Sequence, residues 1–154
     1  MYTVENLFHF LHQLSAIVWL GGILALNVLQ VRLGNEQDRA AQKSLLRHSD
    51  LYGRVVIAPA AVVALITGLV LVAQIDVSLS TFWVAWGLAG LFLSLALGGT
   101  LIRATNAELR RLTADPTIDN PRWLARRRRA AILYAVNLLL LLSVLWAMVF
   151  KPTL

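Results

Sequence analysis

Four long runs of apolar residues divide the chain, and the shorter stretches between them carry most of its charge. The runs cover about residues 7–31, 55–75, 82–102 and 130–150. Each holds about 20 to 25 residues, and a helix needs about 20 to cross a hydrocarbon core about 30 Å thick. Lipid satisfies no stray backbone polar group, so a span of this kind must be helical. The pattern predicts an all-α, four-helix transmembrane bundle, with residues 1–154 forming a single integral membrane domain.

The positions of Lys and Arg predict how this bundle is oriented. The first loop holds five basic residues and the third holds eight, whereas the second loop holds none and only Lys151 follows the fourth run. Loops rich in Lys and Arg stay on the cytoplasmic side of a membrane. We therefore predict a multi-pass protein of a bacterial-type inner (cytoplasmic) membrane, with both termini and the second loop outside (N-out/C-out).

Composition narrows the classes of partner and of cofactor. The chain has no Cys, which excludes disulfides, thiolate metal sites and Fe–S clusters. Its net charge of +6 comes from residues that flank the spans, so we predict no nucleic-acid partner. The expected partners are the lipid bilayer and either further copies of the chain or other membrane subunits. The basic run at 126–129 is typical of a stop-transfer flank, and a second interpretation is binding to acidic lipid headgroups.

Three local signals refine the predicted architecture. Residues 34–49 are polar and contain no Pro, which favours a helical extension or a surface helix. Residues 115–121 contain two Pro and two Asp, which predicts a turn. Pro59 lies inside the second apolar run, where a proline predicts a kink.

Polar side chains in a spanning helix are costly, and the first span carries several on one side. At 100° per residue, His12, Trp19 and Gln30 lie on one helix face, which we expect to point into the bundle. A neutral imidazole at His12, about 8 Å inside the outer boundary, can ligate haem iron. The alternative is a histidine that only forms a hydrogen bond with a neighbouring helix.

The other two histidines limit how a haem could be held. His48 is expected at the opposite, cytoplasmic side, about 20 Å or more from His12. His9 stands on the same side of any ring as His12. A haem b within one chain would therefore be five-coordinate or would take a sixth ligand that is not His.

A second hypothesis concerns a metal ion at the outer end of the first helix. Glu5, His9 and His12 share a face, and two imidazoles with one carboxylate can hold a divalent transition metal. The alternative is that Glu5 is only an acidic residue favoured by the helix dipole in the first turn.

Small and polar residues elsewhere predict helix contacts. Gly21, Gly22, Gly98 and Gly99 would let neighbouring helices approach closely. Asn137, with Tyr134 one turn before it, is the main polar group of the fourth span, where Asn commonly forms hydrogen bonds between helices.

The order of these motifs resembles a known family. The first span reads Leu11-His12, Trp19, Gly21-Gly22; the second reads Leu51-Tyr52-Gly53-Arg54, Pro59-Ala60, Thr67-Gly68-Leu69; the fourth has Asn137 and ends Val149-Phe150-Lys151-Pro152. This order resembles the HemJ-type protoporphyrinogen oxidases and is similar to CopD-type copper-resistance membrane domains. The resemblance implies a four-span protein associated with b-type haem, with the family's first-span His falling on His12. Trp19 and Asn137 are the other candidates for cofactor contacts.

The sequence departs from the HemJ-type pattern in two places. No Lys lies near Trp86-Gly87, where that family has one in its third span. Leu138–Leu142 follows Asn137, where the family has Glu and Pro. The resemblance therefore implies a relative that keeps the scaffold and the outer His.

Three functions remain open, and the sequence does not decide whether the chain is an enzyme. The first is a haem-binding membrane protein with a redox or haem-handling role. The second is a non-catalytic accessory or structural subunit of a larger membrane complex. The third is a metal-ion transport or resistance protein of the copper type. Any chemistry is expected in the outer half of the bundle, beside the first helix.

Overall fold

The computed structural model describes residues 4–75, 77–114 and 120–152, and the regular elements in these ranges are all helices. They are α1 (Val4–Asn35), α2 (Arg39–Tyr52), α3 (Ala58–Gln74), α4 (Phe82–Ala96), α5 (Arg103–Ala114) and α6 (Asn120–Phe150). A π-helical turn at Gly53–Ile57 joins α2 to α3, and another at Leu97–Ile102 joins α4 to α5. The described residues thus form four long helices, each long and apolar enough to cross a membrane. The predicted all-α, four-helix bundle is confirmed.

The helices extend well beyond the apolar runs at one end of the bundle. Most of the first basic loop is helix: α1 continues to Asn35, and α2 begins after Asp38, whose carboxylate accepts hydrogen bonds from the backbone of Ala40 and Ala41. The helical extension predicted there is confirmed. Of the predicted turn at 115–121, residues 115–119 lie outside the described residues, and α6 begins immediately after them.

A small core holds these extensions together. Leu33, Leu46, Leu109 and Ala130 are buried against one another, with Trp123 packed beside them. The two ends of the bundle are here called the terminal end and the basic end. The terminal end contains the start of α1, the segment before α4 and the end of α6; the basic end contains α2, α5 and the start of α6.

Each of the two middle helices widens into a π-helical turn near the point where its apolar run meets its basic extension. The first turn ends at Ile57, two residues before Pro59, which has no backbone N–H and whose ring would crowd the carbonyl of Val55 in a regular α-helix. The kink at Pro59 stays a prediction; the structure has a widened turn before this residue and a helix that continues through it.

The membrane half of the core is built from large side chains on α1 and small ones on α3. Trp19, Ile23 and Leu26 are buried against Ala60, Ala61 and Ala64 and against side chains of α4 and α6. Alanines at this interface let the two helices lie close together.

The glycines only partly follow their predicted role in close packing. A Cβ atom on Gly22 would lie 2.9 Å from Ile57 Cγ1, so this position does bring α1 against the neighbouring helix. Gly21, Gly98 and Gly99 differ, because no atom lies within 4 Å of the Cβ position at any of them. Gly21 is exposed on the outside of the bundle, and the other two border a cavity.

Candidate functional site

An apolar cavity of about 530 Å³, here called the His12 cavity, lies at the terminal end beside the predicted site. Helices α1, α3, α4 and α6 all contribute to its walls. Its lining includes His12, Trp19, Gly68, Trp83, Met148 and Lys151. The cavity therefore lies beside the first helix, in the half of the bundle where the sequence predicts chemistry.

His12 is held by acceptors on α3. Its Nδ1 atom lies 3.0 Å from the carbonyl oxygen of Ala64 and 3.2 Å from Thr67 Oγ1. The Thr67 hydroxyl donates its own hydrogen to the carbonyl of Val63, 2.6 Å away, so it accepts from the imidazole. This network assigns the proton of neutral His12 to Nδ1 and leaves the lone pair of Nε2 unused.

Gly68 provides the room that the His12 ring occupies. A Cβ atom on Gly68 would lie 3.0 Å from His12 Cε1 and 3.3 Å from Nδ1. Any side chain at this position would push the imidazole away from its acceptors. Thr67 and Gly68 thus both position His12: Thr67 accepts a hydrogen bond from the ring, and Gly68 leaves space for it.

The rim of the cavity carries polar groups from both chain ends. Lys151 Nζ lies 5.2 Å from the centroid of the Trp83 ring, in a cation–π contact. The His9 ring forms a 3.2 Å hydrogen bond through Nδ1 with the carbonyl of Glu5, on its own helix.

The metal site predicted at Glu5, His9 and His12 gains no support from this geometry. Within residues 4–75, 77–114 and 120–152, no group of three or more His, Asp or Glu side chains is placed to hold a metal ion. The site stays a prediction.

Asn137 lies in a different cavity from His12. This second space, of about 270 Å³ and nearer the basic end, is here called the Asn106 cavity. Its polar lining includes Ser49, Asp50, Arg54, Ser94, Arg103, Asn106, Tyr134 and Asn137. Of the three residues predicted to contact one cofactor, the structure places His12 at the first cavity and Asn137 at the second, while Trp19 lines both.

A buried hydrogen-bond network forms one side of the Asn106 cavity. Asn106 Nδ2 donates to Tyr134 Oη at 2.8 Å and to Asp50 Oδ1 at 3.3 Å. Asp50 also forms an ion pair with Arg110, which balances its charge. The network therefore joins the end of α2 to α5 and α6.

Three buried amide oxygens around this network have no hydrogen-bond partner. They are the side-chain carbonyl oxygens of Gln30, Asn106 and Asn137. Asn106 and Asn137 are each only 1% exposed. A buried acceptor without a donor costs free energy, so three such atoms in one region indicate a place where donors are expected.

The sequence identified some of these residues and missed others. It selected Gln30, Tyr134 and Asn137 because polar groups are rare in apolar runs. Asp50 and Asn106 were missed because they lie in polar segments interpreted as loops or helix extensions. The available signal for Asp50 was its position as the single acid between Arg39 and Arg54, a few residues before the second apolar run.

Two of the four arginines at 126–129 contact other residues of the chain. Arg126 Nε lies 2.8 Å from Glu108 Oε1. Arg127 lies 5.9 Å from the centroid of the Trp123 ring and packs against Gly34. Arg128 and Arg129 are exposed.

Comparison with known proteins identifies one family. The family model described as predicted integral membrane protein (DUF2269) matches residues 6–152. No functionally described protein and no solved structure matches the chain.

Proposed function

The chain belongs to the DUF2269 family of integral membrane proteins, and we propose that it binds haem b in the His12 cavity for a redox or haem-handling role. In this proposal the basic end lies in the cytoplasm of a bacterial-type inner membrane and both termini lie outside. The His12 cavity is then in the outer half of the bilayer.

The observation that carries the proposal is the hydrogen bond between His12 and Ala64. Histidines that bind a metal commonly donate their second ring N–H to a carbonyl, which fixes the ring and makes the free nitrogen a better ligand. Nδ1 of His12 lies 3.0 Å from the Ala64 oxygen. Nε2 is therefore the atom that would bind the haem iron.

The lining of the cavity also suits a haem. Its volume of about 530 Å³ is within the range of about 300 to 1,000 Å³ that is usual for ligand pockets. Its walls are mainly Leu, Val, Ile and Ala side chains, which suit the apolar faces of a porphyrin. Lys151 at the rim supplies a cation for the propionate groups.

Met148 is the candidate for the sixth ligand. It lines the same cavity from α6, whereas His12 lines it from α1. A Met thioether is a known partner of His at haem iron and raises the reduction potential relative to a second His. For a six-coordinate haem held within one chain, the sequence predicts a sixth ligand other than His.

The protein residues would hold the haem and control what reaches it. Haem supplies one-electron chemistry when bound. The Ala64 carbonyl and Thr67 orient the His12 ring, Gly68 leaves it space, and Trp19 closes the cavity toward the middle of the bundle.

The visible spectrum of the detergent-purified chain tests the proposal. We expect a Soret band that His12→Ala abolishes and that added imidazole restores, because free imidazole can occupy the vacated position. His48→Ala is the matched control, since His48 is exposed on α2 and bonds the backbone of Ser44. Its spectrum should be unchanged.

The competing functions predict different results from the same preparation. A chain without chromophore after haem supplementation, co-purifying in a stable complex, would contradict haem binding and support an accessory subunit. Bound copper or zinc that His9→Ala removes would support metal transport instead.

A further inference from the structure

Two buried amide oxygens that line the Asn106 cavity, one on Asn106 and one on Asn137, have no hydrogen-bond partner. Asn106 Nδ2 donates to both Asp50 and Tyr134, and exchanging its oxygen and nitrogen would set the amide oxygen against the Asp50 carboxylate, which has no proton to donate. Its Oδ1 therefore stays without a donor. Asn137 lines the same cavity with a second buried oxygen that has no hydrogen-bond partner.

The cavity is too large for a single bridging water. Its volume is about 270 Å³, whereas one water occupies about 30 Å³ in the liquid. Gly53, Gly98 and Gly99 line it, and no atom lies within 4 Å of the Cβ position at any of the three. These glycines belong to the two π-helical turns, a feature that often marks functional sites.

Two arginines flank the cavity on neighbouring helices. Arg54 lies in the first π-helical turn, and Arg103 begins α5. Both line the cavity and both are exposed. Within the described ranges neither forms an ion pair with an acidic side chain, and the Asp50 carboxylate nearby is paired with Arg110. Two free guanidinium groups in this position favour a phosphate, which Arg binds through paired hydrogen bonds.

The position of the cavity points to a ligand from the membrane. It lies where apolar runs meet basic extensions, and Ile57, Ala58 and Leu95 line it together with the polar groups. Arg54 and Gly99 are exposed, so the cavity reaches the outside of the bundle between the second and third long helices. Basic pockets between spans on the cytoplasmic side are typical sites for lipid headgroups.

We propose that the Asn106 cavity binds a phospholipid headgroup that carries both a phosphate and a hydrogen-bond donor. Arg54 and Arg103 hold the phosphate. A hydroxyl or ammonium group beyond it donates to the free oxygens of Asn106 and Asn137. The acyl chains stay in the bilayer beside the gap between the second and third long helices. The proposal does not rest on haem binding in the His12 cavity.

Three phospholipids with identical acyl chains distinguish the contribution of the phosphate from that of the headgroup donor. Phosphatidylglycerol offers hydroxyl donors and phosphatidylethanolamine offers an ammonium group, whereas phosphatidylcholine has the phosphate without a donor. Native mass spectrometry of the full chain, titrated with each lipid, measures how many lipids are retained. We expect at least one of the donor lipids to be retained about tenfold more tightly than phosphatidylcholine, a difference of about 1.4 kcal/mol.

Substitutions test the phosphate contact and the donor contact separately. Arg54→Gln with Arg103→Gln should reduce retention of every lipid, because the phosphate loses both partners. Asn137→Leu should reduce the preference over phosphatidylcholine, because one of the two acceptors is lost. Gly98→Leu fills the cavity from a position with open space, so it should abolish retention while the protein remains helical and monodisperse. The control is Arg128→Gln with Arg129→Gln, which removes the same charge from exposed positions on α6.

Three outcomes would overturn the proposal. The first is equal retention of all three lipids by the wild type. The second is an equal loss in the control pair, which would indicate only general attraction of lipid to a basic surface. The third is equally tight binding of free glycerol 3-phosphate, which would identify a soluble phosphate compound as the ligand.

Discussion

The side-chain amide of Asn106 donates a 2.8 Å hydrogen bond to the hydroxyl of Tyr134, linking α5 to α6 in the interior of the bundle. Both side chains are almost completely buried, at 1% and 2% exposed. The same amide also reaches Asp50 at the end of α2. One side chain thus connects three of the four long helices at the level of the π-helical turns.

Replacing Asn106 should destabilise the fold. In Asn106→Leu the hydroxyl of Tyr134 and the carboxylate of Asp50 each lose a donor, and we expect the free energy of unfolding to fall by about 1–3 kcal/mol. Unfolding in mixed micelles of increasing SDS content measures the change. Asn6→Leu, at an exposed position of α1, should have little effect, and an equal loss in both variants would contradict the structural role of Asn106.

Two adjacent glycines should respond in opposite directions to the same substitution. Gly22→Ala places a Cβ atom 2.9 Å from Ile57 Cγ1, and overpacking of this kind typically costs about 1–3 kcal/mol. Gly21→Ala meets no atom within 4 Å and should stabilise the helix by about 0.5–1 kcal/mol. The same unfolding assay measures both. Equal effects of the two substitutions would contradict the close packing of α1 against Ile57.

The proposed sixth haem ligand can be tested separately from the first. Met148→Leu conserves size but removes the thioether, so we expect a bound haem that becomes five-coordinate and high-spin, with a lower reduction potential. Absorption and resonance Raman spectra report the coordination state. Val149→Leu changes an adjacent lining residue that offers no ligand, and it should leave the spectrum unaltered. An unchanged spin state in Met148→Leu would exclude this ligand while leaving His12 as the fifth.

The absence of Cys makes the predicted orientation directly measurable. In a chain with one introduced cysteine, a membrane-impermeant maleimide should label Ser78→Cys in intact cells. It should label Gln37→Cys only after the membrane is opened, because this position is at the basic end. Both residues are exposed, so access to the reagent depends on the side of the membrane. The reverse labelling pattern would invert the orientation.

The architecture could be predicted from the sequence because hydropathy encodes it directly. Each apolar run corresponds to one long helix, and the polar segment at 34–49 lacks Pro and continues largely as helix. The π-helical turns were not predictable, since an apolar run of about 20 residues has the same composition with or without one widened turn. Only the packed structure shows that the Gly98-Gly99 pair faces open space.

The candidate sites were partly predictable for a similar reason. His12 and Asn137 stand out because polar residues are costly within apolar runs. Asn106 does not stand out, since its neighbours in the third basic segment are also polar. Its burial depends on α2 and α6 folding over it, and that information is distributed over distant parts of the chain. The resemblance to a family rests on the order of motifs along the chain, and this order gives no distance between His12 and Asn137. The structure places the two residues at separate cavities.

Trp19 is 7% exposed and is the one described residue that lines both cavities. A ligand that shifts this indole from one side changes the shape of the space on the other side. By thermodynamic reciprocity, the second ligand must then alter the affinity of the first by the same factor. In the proposed orientation, a lipid bound in the Asn106 cavity would in this way alter ligand binding in the His12 cavity. A single aromatic side chain would carry that signal across the bilayer midplane.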